Sequence, residues 1–514
     1  MKKLLLAFTV LLLPATLAYS QATYRVFTSP KLPPRDALER MQLVTAWNTH
    51  AAVDGNRDGI FSVQLIPGHP RSQLVVQTYK GGVFLYDADN GDLIWKTQVG
   101  TPYWTPQQAA FNAHSIFVTR RNVLHILNRF DGAQRTFTYE QALKHVAFGF
   151  DLPYTPNAPP IADEKYLYVP LGNRVYAYVI PDYDAIEKAY ARDRARRDGL
   201  KDAKKDAKTP MAADSPPTDV DSAQPEYLWG YGLGDQLTTS SPMLYGDQLS
   251  ILTTDGMLTS VNRSDTGRRL EFWEFKANGR TRAAPGHHEH FGYLASDDFN
   301  LYAVDLRSGR LKWRHVSGAP LLDKPEVNDR DIFIAPERLG LRRIDRTSGR
   351  EVWTSKETTR FLAANDTFVY ALDHQGMFFV LDQRRGTPLA KLNLADWKIA
   401  VANEWTDRVY LAANDGQILC LRHRDLKNPL MMKTVEVVKP REEKKPVEEK
   451  KDDEKKNDKK DDKKDDKKDD KEKAAARLAR AAASRDLWIV ASVQPAIGRR
   501  SGEDRGEHRR PAGP

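Results

Sequence analysis

The chain has 514 residues, 40% of them hydrophobic and 29% charged, with a formal net charge of +9 and a single cysteine. That length and apolar content support a core larger than one average domain needs, while one cysteine excludes any intramolecular disulfide. The charge is no nucleic-acid footprint: Lys2 and Lys3 belong to the N-terminal segment, residues 439–473 hold 16 basic against 15 acidic side chains, and the remainder is spread over a large body.

Residues 1–22 read as a secretory signal peptide. Lys2 and Lys3 precede an apolar run at 4–13, and Ser20-Gln21-Ala22 offers the small residues of a cleavage site. The run is too short for the ~30 Å of a bilayer core and is broken by Pro14. No later stretch is long and apolar enough to cross. The expectation is an exported protein, periplasmic or secreted, with no transmembrane segment once the signal is removed. Residues 23–44 form a lead-in.

At Asp54-Gly55-Asn56-Arg57-Asp58-Gly59, oxygen-bearing side chains at alternate positions followed by glycine resemble a calcium loop. The twelfth position is Leu65 rather than Glu, so the bidentate ligand is missing. Two readings follow: a Ca2+ site on Asp54, Asn56 and Asp58, or a tight Asp/Gly turn ahead of a strand.

Residues 45–438 are built on one repeating unit. An alternating run ends in Asp or Asn, a Gly follows four residues later, and a Trp often stands four beyond that. Leu301-Tyr302-Ala303-Val304-Asp305 with Gly309 and Trp313 is the clearest copy. Asp87, Gly91 and Trp95 form another, and Asp345, Gly349 and Trp353 a third. Asn128 with Gly132, Asp382 with Gly386 and Asn262 with Gly267 are weaker copies. Hairpins fall near 75–87, 115–128, 166–178, 249–262, 291–305, 331–345, 367–382 and 408–421. Eight units of several short strands, with a period near 40, predict an all-β, eight-bladed β-propeller. Alternation buries one strand face, Asp or Asn opens the turn, Gly takes positive φ, and Trp fills the gap between blades. Trp95, Trp313 and Trp353 are therefore core rather than a ligand platform.

Residues 181–227 interrupt the third blade. Their first part, 184–208, favours helix but lacks a continuous apolar stripe, which predicts a solvated helix; 209–225 reads as loop, and Trp229 resumes the Trp position. Innermost strands should precede the hairpins, in stretches such as 103–106, 239–242 and 280–282. Tyr103, Trp104, Thr239, Ser240, Arg280 and Arg282 would then line a mixed, partly basic funnel able to take a peptide or small anionic ligand, or only water. In His287-His288-Glu289-His290, strand geometry would place His288 and His290 on one face, a start for a metal site that needs further ligands. Cys420, between Leu419 and Leu421, reads as a buried, inert thiol.

Residues 439–514 form a charged low-complexity tail, predicted largely disordered because 439–473 has almost nothing apolar to bury. The strand-like run at 487–490 reads as part of that tail. Ring closure is left to a segment near 24–27 or to 435–438.

The pattern Ala-Val-Asp-x-x-x-Gly-x-x-x-Trp at 303–313, with its relatives at 87–95 and 345–353, resembles the PQQ-type propeller repeat over roughly residues 45–425. One branch of that superfamily holds quinoprotein dehydrogenases. The other holds non-catalytic propellers such as the scaffold subunit of the outer-membrane β-barrel assembly machinery. The dehydrogenase branch implies a vicinal cysteine pair, a calcium with acidic and amide ligands and an Asp base; a lone Cys420 cannot supply the pair, so PQQ is not expected. The resemblance implies an exported, non-catalytic binding or scaffolding module of the cell envelope, its partners other envelope proteins or peptides and not nucleic acid. The alternative is a quinone- or metal-dependent oxidoreductase using the central funnel.

Overall fold

The computed structural model describes residues 29–434, apart from 54–57, 69–70, 103, 136–148, 204–222 and 264–270. Within them the chain forms eight four-stranded antiparallel sheets. Seven are consecutive in sequence: 60–98, 110–151, 161–232, 243–276, 286–316, 326–355 and 360–393. The eighth takes three strands from 399–423 and its outermost from Leu43–His50. The expected eight-bladed propeller is the observed fold.

The middle two strands of most blades are buried on both faces, which is why they read as continuous apolar runs such as Gly82–Asp87 and Tyr166–Leu171. Outermost strands alternate, as in Arg310–Val316. The repeat residues act between blades. Asp305 accepts the amide of Arg307 on its side chain and that of Gly309 on its carbonyl. Gly309 sits at φ +69, with Trp273 of the preceding blade 2.6 Å from where a Cβ would stand. The Trp273 indole then donates to the Leu306 carbonyl at 3.1 Å. The same docking joins Trp95 to Gly132, Trp313 to Gly349 and Trp353 to Gly386. The flat ring needs a neighbour with no side chain, so Gly and Trp are two halves of one contact. Trp47 and Trp273, which the sequence pattern does not single out, do the same work.

Trp47 explains the closure. It lies on Leu43–His50, which pairs with Gln417–His423 from Leu43 opposite His423 to His50 opposite Gln417. This corrects the expectation of closure by 24–27 or 435–438, segments outside the described residues; the closing strand begins inside the lead-in and carries the tryptophan the last blade otherwise lacks. Cys420 pairs with Trp47 and is fully buried, with its thiol pKa pushed up by burial.

The insertion leaves blade 3 between its third and outermost strands and opens with the helix Tyr183–Ala203. Its first turns are docked rather than solvated as the sequence suggested. Tyr183 and Tyr190 are buried, and Tyr183 and Ile186 pack into the apolar cluster shared by blades 2 and 3. The three stand at i, i+3 and i+7, a stripe too short to register over the whole segment. No helix among the described residues is long and apolar enough to cross a membrane. Residues 1–28, with the expected signal peptide, and 435–514, with the expected tail, lie outside the described residues.

Candidate functional site

Strand direction divides the loops between two faces. Turns between the second and third strands, and links between blades, lie at one end. Turns between the first and second strands, and between the third and outermost, lie at the other, with the insertion and the exit from blade 8.

On this second face the chain does not simply leave. After His423 it runs back over the inner turns as a strap. Leu430 accepts the Asp407 amide at 3.1 Å and Met432 donates to the Trp405 carbonyl at 2.8 Å, both in blade 8. Met432 then accepts the Asp329 amide from blade 6 at 3.0 Å. Thr434 places its amide and hydroxyl on the Asp329 carboxylate, each at 2.8 Å. The strap's hydrogen bonds thus tie blade 8 to blades 6 and 5.

Lys433 is its anchor. The side chain is 6% accessible, donates to the His287 carbonyl of blade 5 at 2.7 Å, pairs with Glu404 of blade 8 at 3.0 Å, and lies over the Trp405 ring at 4.6 Å. Glu404 also faces Lys324 at 3.5 Å and accepts the Val327 amide at 3.0 Å, and Lys324 reaches Glu326 at 3.1 Å. Two ammonium and two carboxylate groups thus alternate beneath the strap. Burial works against the Glu404 charge, yet Lys324 and Lys433 bring its pKa down to about 2. Glu326 lacks as many partners, and burial raises it. Burial, with Lys433 beside it, pushes His287 down to about 4, so that imidazole is neutral at pH 7. His288 points elsewhere, its Nε2 2.6 Å from Asp329.

A second anchor holds the insertion. The Arg135 side chain, with no accessible surface, pairs with Asp184 at 2.8 Å and Glu187 at 2.6 Å, its guanidinium 5.6 Å from the Tyr183 ring centre. A hydrogen bond to a charged group contributes about 1.5–3 kcal/mol. Arg135→Ala should therefore speed amide exchange at 186–190 by at least about tenfold while the blade strands stay protected. Unchanged exchange there would show that the tyrosines alone dock the helix.

The first face is apolar at its loops. Tyr79, Tyr154, Leu237, Phe299, Leu322 and Leu339 are exposed on loops spread around the ring. Phe299 is held at φ +67, a left-handed conformation bulky residues avoid, and still keeps its ring exposed.

The expected site residues are scattered. Asp58 is buried and its Oδ1 accepts the amides of Gly59 (2.9 Å) and Lys80 (3.0 Å), the work of a turn residue; Asp54 and Asn56 lie outside the described residues. The funnel candidates sit in links ahead of the innermost strands, which are Ala110–Phe111, Met243–Tyr245 and Gly286–His288. Trp104 is half-buried, with its carbonyl bound by Arg120 at 3.1 Å. Thr239 and Arg280 are exposed, Ser240 is buried, and Arg282 pairs with Asp297 at 3.0 Å. Tyr103 lies outside the described residues. His288 and His290 do not share a face, because Glu289 at φ +50 ends the strand and His290 turns out beside Tyr245. No group of three metal-ligating side chains occurs among the described residues. Lys433 and Glu404 carry no sequence signal: one follows the last strand, the other sits in a turn, and only folding brings them together.

A family of PQQ-type repeats described as outer membrane protein assembly factor BamB matches residues 254–425. The outer membrane protein assembly factor BamB of Kangiella koreensis is 28% identical over 126 residues, 23% of this chain and 32% of that protein, so the match spans about a third of its length. The crystal structure of BamB from Moraxella catarrhalis superimposes with a TM-score of 0.50 at 13% identity, covering 74% of this chain and 97% of that one; it shows the fold.

Proposed function

The chain is a PQQ-like β-propeller, and from that premise we propose that it is an exported, non-catalytic scaffold of the cell envelope that docks proteins of outer-membrane assembly on its apolar loop face. The observation that carries this is the exposure of Tyr79, Tyr154, Leu237, Phe299, Leu322 and Leu339 on loops of one face. Exposed apolar side chains also occur on outer strands and, at Phe130 and Met431, on the other face, but six of them stand on the loops of this one, which supports reading it as the interaction surface. Phe299 adds to it, since a strained backbone that presents an aromatic ring to solvent is maintained for contact. The name of the matching family supplies the kind of partner. At the other face, Glu326 and Glu404 are engaged by Lys324 and Lys433, which leaves these carboxylates in structural pairs.

Photocrosslinkers placed at Tyr154 and Phe299 in cells should capture an outer-membrane assembly protein, and one at Thr354 on an outermost strand should not. Tyr154→Ser with Phe299→Ser should weaken that capture at least about tenfold, the effect of removing two aromatic anchors. A quinone absorbance on adding PQQ and Ca2+, with dye-linked alcohol oxidation, would overturn the proposal in favour of an oxidoreductase.

A further inference from the structure

The charge of the body is not evenly spread. On the strap face, the turn before the outermost strand carries an exposed base beside its glycine in three consecutive blades: Arg310 in blade 5, Arg350 in blade 6, and Arg384 and Arg385 in blade 7, with Lys427 following blade 8. All are exposed, and none has an acidic partner within 4 Å among the described residues. The nearby carboxylates are occupied. Asp345 accepts from the amide and hydroxyl of Ser348, and Asp382 from the amides of Arg384 and Arg385. Asp305 is taken by Arg307. The repeat thus uses its acid to make the turn and leaves the base outside. Beyond blade 8 the ring continues into blade 1, whose same turn presents Asp89 and Asp92, both exposed, so the arc ends at an acidic neighbour.

We propose that Arg310, Arg350, Arg384, Arg385 and Lys427 form a basic arc that rests on an anionic phospholipid surface. The bases stand one or two to a blade along a rim rather than around one groove, so a planar array of phosphates meets them together where an extended peptide would meet few. Each group of arginines is followed on the outermost strand by an exposed apolar side chain, Leu311, Val352 or Leu389, suited to the headgroup boundary. At one end the arc opens into a shallow cleft of about 590 Å³ where Arg310 and Lys312 stand beside the Asp305–Arg307 pair, so its net charge is positive with one carboxylate already engaged. Attraction of this kind acts within a Debye length, about 8 Å at physiological ionic strength, so the arginines of blades 5 to 7 set the contact, two blades or more from the acidic turn of blade 1. The inference does not depend on the partner docked at the opposite face.

The test is co-sedimentation of the full chain with vesicles of phosphatidylcholine alone and of phosphatidylcholine with about a third phosphatidylglycerol, at low and high salt. The protein should sediment with the anionic vesicles only and be released by salt. Arg310→Glu, Arg350→Glu, Arg384→Glu and Arg385→Glu together should reduce binding at least about tenfold. The same reversal at Arg121, Arg174, Arg280 and Lys356 on the other face should change it less than about twofold. Circular dichroism melts confirm folding, and Arg384→Gln with Arg385→Gln replaces the fourfold variant if that one does not fold, with a smaller loss expected. Equal binding to neutral vesicles overturns the proposal. So does full binding by the arc variant, which would place any lipid contact on other basic segments such as 474–514. Capture of poly-glutamate through the arc without vesicle binding also overturns it and assigns the arc to an acidic protein ligand.

Discussion

Trp47→Ala should lower the unfolding free energy by about 3–5 kcal/mol, the range for removing a buried tryptophan from a packed core. Trp47 is 7% accessible, lies 6.0 Å from the Tyr410 ring, and donates its indole N–H to the Ala88 carbonyl at 3.0 Å. It presses on Gly91 of blade 1 while its backbone belongs to blade 8, so one side chain joins the first and last blades of the ring. Trp353→Ala removes a similar contact between blades 6 and 7, which the continuous chain still connects. The Trp47 variant should therefore also lose cooperativity, with exchange rising first in Leu43–His50 and Gln417–His423. Gly91→Val should act in the same direction, because its Cβ would stand 2.6 Å from the Trp47 ring at a φ of +77. Urea unfolding followed by fluorescence and exchange measures both; a loss under about 1 kcal/mol for Trp47→Ala would mean the strand is held by its ladder alone.

Glu404→Ala should be the most damaging change at the strap, about 3–5 kcal/mol, because it leaves Lys433 buried beside Lys324 without its carboxylate. Lys433→Met should be milder. It leaves Glu404 paired with Lys324, and the aliphatic stem still covers Trp405. Exchange of the Met432 and Thr434 amides reports the release, and equal losses for the two variants would sink the network account. Acid should loosen the strap around His287 and, separately, blade 2 around His125. His287 and His125 titrate at about 4 in the folded chain, below the ordinary 6.5. Between those values the unfolded chain takes up protons the folded one refuses, so stability falls as pH drops from about 6.5 towards 4. Glu326, raised by burial, acts in the opposite sense, so the His287 share is read from the difference between the wild type and His287→Gln. The Glu404 contribution is complete above about 4.5 and fades only as pH approaches 2.

The blades were legible because their chemistry is local. Asp305 and Gly309 form one turn within five residues, and Val304 and Ala303 alternate along one strand. The insertion was legible as an interruption, but not its docking, since Arg135 meets Asp184 across 49 residues. Thr239, Ser240, Arg280 and Arg282 were placed on inner strands because sequence gives strand order only approximately; they belong to the links one step earlier. The histidine run looked collinear until Glu289 took a positive φ.

By itself, the sequence determined the fold class, the number of blades, the place of the insertion and the structural role of the repeat tryptophans, because each rests on contacts inside one 40-residue unit or on its repetition. Tertiary structure alone decided which strand closes the ring, how Lys433 comes to lie between blades 5 and 8, and which loops and turns share a face. Those features join residues hundreds of positions apart, as Tyr410 is joined to Ala88, and no local period records such a meeting.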